Sequence, residues 1–158
     1  MGTPWSSRQK KRYSKTHGKR RTLETMGYRD LVKKLDRELS FFVRLSAADN
    51  GGIVMCVTCG SLHFWKDITL GHYISRSHHS TRWDLRNMAP QCVRCNSYHG
   101  GEQYKMRAYL VETHGEEEVK ALEKKADQTK TETADSLRKQ VIEYRAEVKR
   151  LKTEKELF

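Results

Sequence analysis

From Tyr28 onward the apolar residues fall at Leu31, Val32, Leu35, Leu39, Phe42 and Val43. Steps of three and four place them on one stripe of a helix. Asp30, Lys33, Lys34, Asp36 and Arg37 occupy the opposite side. Such a stripe is expected to pack on a small core, with a partner protein as the other destination. Asp49-Asn50-Gly51-Gly52 is a turn signal. Residues 53–55 then read as a short strand, 68–74 as a second, and 75–84 as an exposed loop. Residues 87–91 return as a third strand, and a helix follows over about 102–112, stopped by His114-Gly115. Residues 116–126 are helical. Beyond Thr133 or Asp135 as a cap, Leu137, Val141, Tyr144, Val148 and Leu151 alternate in steps of four and three. That is a heptad seam about two heptads long. It fits a helix packed on its own domain or one paired with a second copy of the chain.

The composition sharpens this outline. The chain has 158 residues, 36% apolar and 32% charged. Globular domains average roughly 45–50% and 25%. The expectation is one small folded centre with charged extensions. Net charge is +11, and residues 1–22 hold eight lysines and arginines with no acid. We divide the chain into a basic disordered arm (1–22), a central domain with its N-terminal helix (23–115), and a charged helical extension (116–158), a candidate dimerisation helix. The arm suits a polyanion through counterion release. Lys10, Lys11, Arg12, Lys19, Arg20 and Arg21 are its expected DNA contacts. The apolar runs are far too short for a membrane span, and the basic N-terminus has no apolar run behind it as a secretory signal would. A reducing cytosol is the expected compartment. There, paired cysteines point to metal rather than disulfides.

Cys56-Val-Thr-Cys59-Gly60 and Cys92-Val-Arg-Cys95 are two such pairs, with thirty-two residues between Cys59 and Cys92. Zinc takes four thiolates in a tetrahedron, and a two-residue gap lets one tight turn offer two sulfurs. Gly60 suits that turn. With four cysteine ligands the Zn²⁺ site is closed and structural, a staple for a core of low apolar content.

Other chemistry lies between and beside the pairs. His72 is followed fifteen residues later by Asn87, then by Asn96 directly after Cys95, and by His99. This is the residue order of an HNH nuclease site. Phosphodiester hydrolysis needs an activated water, and an imidazole near neutral pKa can deprotonate it. It also needs a cation with open positions to stabilise charge on the phosphate and the leaving oxygen. His72 is the expected base and Asn87 the residue that orients it. Asn96 and His99 are the expected ligands of a catalytic Mg²⁺ or Mn²⁺. Arg76, Arg82, Arg86 and Arg94 flank the site as candidate phosphate contacts. His78 and His79 belong to the loop. Trp65 and Trp83 fit either the core or stacking on an unpaired base.

Gly71-His72-Tyr73-Ile74-Ser75-Arg76, Thr81-Arg82-Trp83-Asp84-Leu85-Arg86-Asn87 and Gln91-Cys92-Val-Arg-Cys95-Asn96, with the first cysteine pair, resemble the lambda NinG (Rap) recombination-protein family. The resemblance runs from about residue 31 to 115 and more loosely beyond. It implies a phage-encoded protein in the bacterial cytoplasm, an endonuclease cutting Holliday junctions and D-loops with a divalent metal. The implied fold is α+β: a zinc-stapled ββα-metal (HNH, or His-Me finger) core with flanking helices and a helical C-terminal extension. The site is also similar to junction resolvases of the endonuclease VII type, where an Asp precedes the catalytic His. Here that position is Gly71. Asp84 or Asp67 is then a candidate for the missing carboxylate, unless Asn96 and His99 suffice with water. A junction has near two-fold symmetry, so a homodimer with two active sites is expected. The competing readings are a less selective HNH nickase on duplex DNA and a non-catalytic zinc module that binds DNA.

Overall fold

The computed structural model describes residues 6–8 and 22–157. Lys10, Lys11, Arg12, Lys19, Arg20 and Arg21, with most of the basic arm, lie outside the described residues. Helix α1 spans Tyr28–Ala47, and strands β1 and β2 span Ile53–Met55 and Leu62–Phe64. Strands β3 and β4 span Thr69–His72 and Met88–Gln91. Helices α2, α3 and α4 then span Gln103–His114, Glu116–Ala126 and Ala134–Glu154.

The strands form two separate antiparallel pairs. In the first, Val54 lies opposite His63, and the turn between β1 and β2 carries the first cysteine pair. Gly60 closes that turn at φ 74°, a conformation costly for any residue with a Cβ. Strand β2 has no counterpart in the sequence reading. It is three residues long, its two outer residues are apolar and only partly covered, and period-two alternation needs a longer run to register. In the second pair, Thr69 lies opposite Gln91 and His72 opposite Met88. Residues 73–87 connect these two strands. The connection ends in a 3₁₀ turn over Leu85–Asn87, capped by the Asp84 carboxylate on the Arg86 N–H. After β4 the chain makes one π-helical turn, Arg94–Tyr98, before α2.

Helix α1 serves two cores with one stripe. Its C-terminal end puts Leu45 and neighbouring Ala48 among Val54, Trp65, Ile68 and the cysteines. Its N-terminal half puts Leu31 and Leu35 against Leu137 and Val141 of α4. The seam of α4 is therefore covered by its own chain. Leu137, Val141, Val148 and Leu151 are buried, and Tyr144 meets Phe42 of α1 at 5.2 Å between ring centres. Thr133 is the α4 cap, accepting from the Ser136 N–H. At the other end Lys155 donates to the carbonyls of Leu45 and Ala48, closing the C-terminus of α1. Helix α3 also packs on the centre. Val119 of α3 is buried with Ala89, Met106 and Leu110 in a third cluster.

Candidate functional site

The two knuckles converge. The sulfurs of Cys56, Cys59, Cys92 and Cys95 all lie within 4.8 Å of one another. Tetrahedral zinc with Zn–S near 2.3 Å separates its sulfurs by about 3.8 Å, and Cys59 and Cys92 are 3.9 Å apart. The Cys92 N–H donates to the Cys56 sulfur at 3.3 Å, and the Cys95 N–H to the Cys92 sulfur at 3.5 Å. Thr58 and Ser61 hydroxyls lie 3.4 and 3.1 Å from Cys56 and Cys59. Burial pushes the Cys56 thiol up, but the Thr58 hydroxyl and the Cys92 N–H outweigh it and lower the group to about 6. Such donors favour thiolate, the form that binds metal. The donor set fits a structural metal such as zinc.

His72 ends β3 and faces the loop over 75–84. Its Nε2 is 3.3 Å from the Arg82 carbonyl. A carbonyl only accepts, so Nε2 carries the proton and Nδ1 keeps its lone pair. Burial, then the Arg76 charge, lowers the imidazole to about 4. The ring is therefore neutral at physiological pH. With Asp36, Leu39 and Ser40 of α1, and with Leu70 and Arg76, it lines a cavity of about 100 Å³. That is room for about three waters.

Asn87 is fully buried and touches the loop rather than the ring. Its Oδ1 accepts from the Ile74 N–H at 2.7 Å, and its Nδ2 donates to the carbonyls of Ile74 and Thr81. Both of its partners follow His72 in the chain, so what Asn87 fixes is the backbone of the loop that the ring faces. Asn96 donates through Nδ2 to Thr69 Oγ1 and the Leu70 carbonyl, which turns its Oδ1 away from β3. His99 is exposed. It takes the Arg94 N–H on Nε2 at 3.3 Å and faces Glu102 at 3.6 Å.

The two carboxylates offered in place of an acid at position 71 do not meet His72. Asp84 is held by Arg86 and Lys125, at 2.7 and 2.6 Å. Burial would raise it, but those bonds keep it well below the usual carboxylate range. Asp67 is exposed in the turn before β3. The carboxylate that does line the His72 cavity is Asp36, in α1, which the sequence reading placed on the outward face. Its only sequence signal is its position beside Leu35 and Leu39, at the edge of the buried stripe.

The four arginines divide. Arg82 makes a two-point ion pair with Asp36, 3.1 and 2.6 Å. Arg86 is shared between Asp84 and Glu118. Both already pair with carboxylates of the same chain. Arg76 and Arg94 are exposed and pair with no carboxylate among the described residues. Trp65 is core, 1% exposed. Trp83 is partly buried, donating to Asp36 at 2.9 Å, with His79 edge-on to its ring. His78 rests on the Ala126 carbonyl.

Fold and site together define a small α+β protein with a four-cysteine cluster fit for a structural metal and a half-buried, neutral histidine. The chain belongs to the bacteriophage lambda NinG protein family, which matches residues 3–155. Membership marks it as a phage protein and suggests a recombination-related role. Comparison with curated proteins and with solved structures gives no match. Among the described residues, no helix is long and apolar enough to cross a membrane.

Proposed function

We propose that this protein is a divalent-metal-dependent DNA endonuclease of the HNH type that cuts branched recombination intermediates, Holliday junctions and D-loops among them. The observation that carries the reading is the state of His72: half-buried, neutral, and committed through Nε2 to the Arg82 carbonyl. An imidazole so held offers Nδ1 as a base of fixed direction beside a cavity that admits water. In the reaction His72 takes the proton of the attacking water. Asn87 keeps both ends of the loop in register. Arg76, on the same cavity, meets the phosphate. Strands β3 and β4 and the turn bearing Asn96 supply the two strands and the helical element that an HNH site uses. Oδ1 of Asn96, with His99 and water, would hold Mg²⁺ or Mn²⁺, which supplies charge stabilisation for the phosphate and the leaving oxygen. The preference for branched DNA follows from the family's tie to recombination, and the +11 charge suits the polyanion.

The test is cleavage of a labelled four-way junction and of its linear arms, with Mg²⁺ or Mn²⁺. The native protein is expected to cut the junction well before the arms, and His72→Ala to lose at least about a hundredfold in rate. Equal cutting of junction and arms would leave the nuclease but remove the branch preference. Unimpaired cleavage by His72→Ala would remove His72 as base.

A further inference from the structure

We infer that Asp36 of helix α1 is a positioning residue for His72, acting through Arg82, so that the N-terminal helix is a working part of the site. This rests on the reading of His72 as the base. The contact is indirect and every link is visible. The carboxylate of Asp36 takes Arg82 Nε at 3.1 Å and a terminal nitrogen at 2.6 Å. The other terminal nitrogen of Arg82 donates to the Arg76 carbonyl at 3.0 Å. The backbone carbonyl of that same Arg82 receives His72 Nε2. On either side the chain is pinned as well. The Thr81 carbonyl is taken by Asn87, and the Trp83 indole N–H is taken by Asp36. One carboxylate therefore fixes two of the three consecutive residues whose middle carbonyl sets the histidine's tautomer. Without it, Arg82 and Trp83 lose their shared anchor, while Asn87 on Thr81 and the Ala126 carbonyl on His78 and Ser80 still hold the rest of the loop.

Charge adds a second role. The groups that face His72 are Arg76 and Arg82 from the loop and Asp36 from α1. The two guanidiniums disfavour an imidazolium, and Asp36 favours it. When Nδ1 takes a proton from water, the ring becomes cationic, and Asp36 is the one negative charge in that set to balance it. A mostly buried ion pair contributes little net stability compared with apolar packing of the same volume, so placement beside the base is the better account of this one.

Two variants of the full chain test the inference, Asp36→Asn and Arg82→Lys. Each is read by nitrogen-15 histidine NMR and by junction cleavage with separate kcat and junction affinity. The native ring should show a single Nε2-protonated tautomer. Asp36→Asn keeps an acceptor for Trp83 but loses the charge. It should mix the tautomers and lower kcat at least about tenfold, with junction affinity unchanged within twofold. Arg82→Lys keeps the carbonyl and part of the anchor and should fall between. A folded Asp36→Asn with the native tautomer and native kcat, changed only in melting temperature, would reduce the pair to a structural brace and overturn the inference. If Asp36→Asn does not fold, Arg82→Lys decides by the same two readings. If the native protein cuts no DNA, the nuclease reading fails alone, because the tautomer measurement still reports whether Asp36 holds the ring.

Discussion

Gln91 lies over Gly71 so closely that a Cβ at position 71 would overlap its side-chain amide oxygen. Gln91 is fully buried, with its Nε2 bound to the Gly101 carbonyl at 2.7 Å and its Oε1 without a partner among the described residues. The position where endonuclease VII-type resolvases carry an acid is thus filled from the neighbouring strand. Gly71→Asp is expected to destabilise the fold by about 2–4 kcal/mol through overpacking and a buried carboxylate, and not to raise activity. Urea unfolding measures it. A native midpoint for Gly71→Asp would show that Gln91 moves aside freely.

Removal of the knuckle metal should be more damaging than any single side-chain change. Structural zinc contributes on the order of 10 kcal/mol, comparable with the whole stability of a small domain. Elemental analysis is expected to give one zinc per chain. Cys56→Ser, or a strong chelator, should abolish the near-UV circular dichroism of buried Trp65. Retention of that signal in metal-free protein would count against a structural role.

The pH dependence of stability has a definite sign at His72. Its pKa is about 4 in the fold and near 6.5 in an unfolded chain. The unfolded state therefore binds more protons between those values, and stability rises with pH across that window. The contribution is fully present above about 6.5 and lost as pH falls through about 4, roughly 3 kcal/mol in all. His72→Gln should flatten that part of the stability profile relative to the native chain. Parallel profiles would place the ring in a wetter setting than this one. Cleavage should likewise keep its base-dependent step from neutrality down to about pH 5 and lose it as His72 protonates below.

The arginines separate folding from binding. Arg82→Ala and Arg86→Ala each leave a carboxylate without its main partner and should lower the melting temperature. Arg76→Ala and Arg94→Ala should leave it within error but weaken DNA binding and reduce its salt slope by about one unit each. Reversal of the two patterns, read by thermal melts and salt-dependent binding, would move the DNA surface elsewhere.

The α4 seam yields a prediction about assembly. Leu137→Ala should cost about 2–5 kcal/mol, equally at every protein concentration, because its partners Leu31 and Leu35 belong to the same chain. An unfolding midpoint that rises with concentration would point instead to an intermolecular seam.

What could be read from the residues follows from how local each signal is. The metal knuckle was legible because its four ligands sit in two rigid two-residue spacings that need no tertiary knowledge. The helices at 28–47 and 134–154 were legible from their stripes, and Thr133 from its place before one. What covers a stripe is not written in it. The seam of α4 reads the same whether α1 or a second copy lies on it. Asp36 was hidden for a similar reason, since a residue at the edge of a stripe looks solvated until the neighbouring loop closes over it. The partition of Arg76, Arg82, Arg86 and Arg94 was equally out of reach, because it depends on acids 32 and 46 residues away in sequence.

The closure of α1 by α4 also bears on synthesis. Leu31 and Leu35 lack Leu137 and Val141, and the carbonyls at the end of α1 lack Lys155, until residues 134–155 have left the ribosome. A nascent chain that already contains His72, Asn87 and all four cysteines still lacks the helix that packs along α1. The packing around His72 on the α1 side is thus completed only once helix α4 has been made, late in the synthesis of residues 28–155.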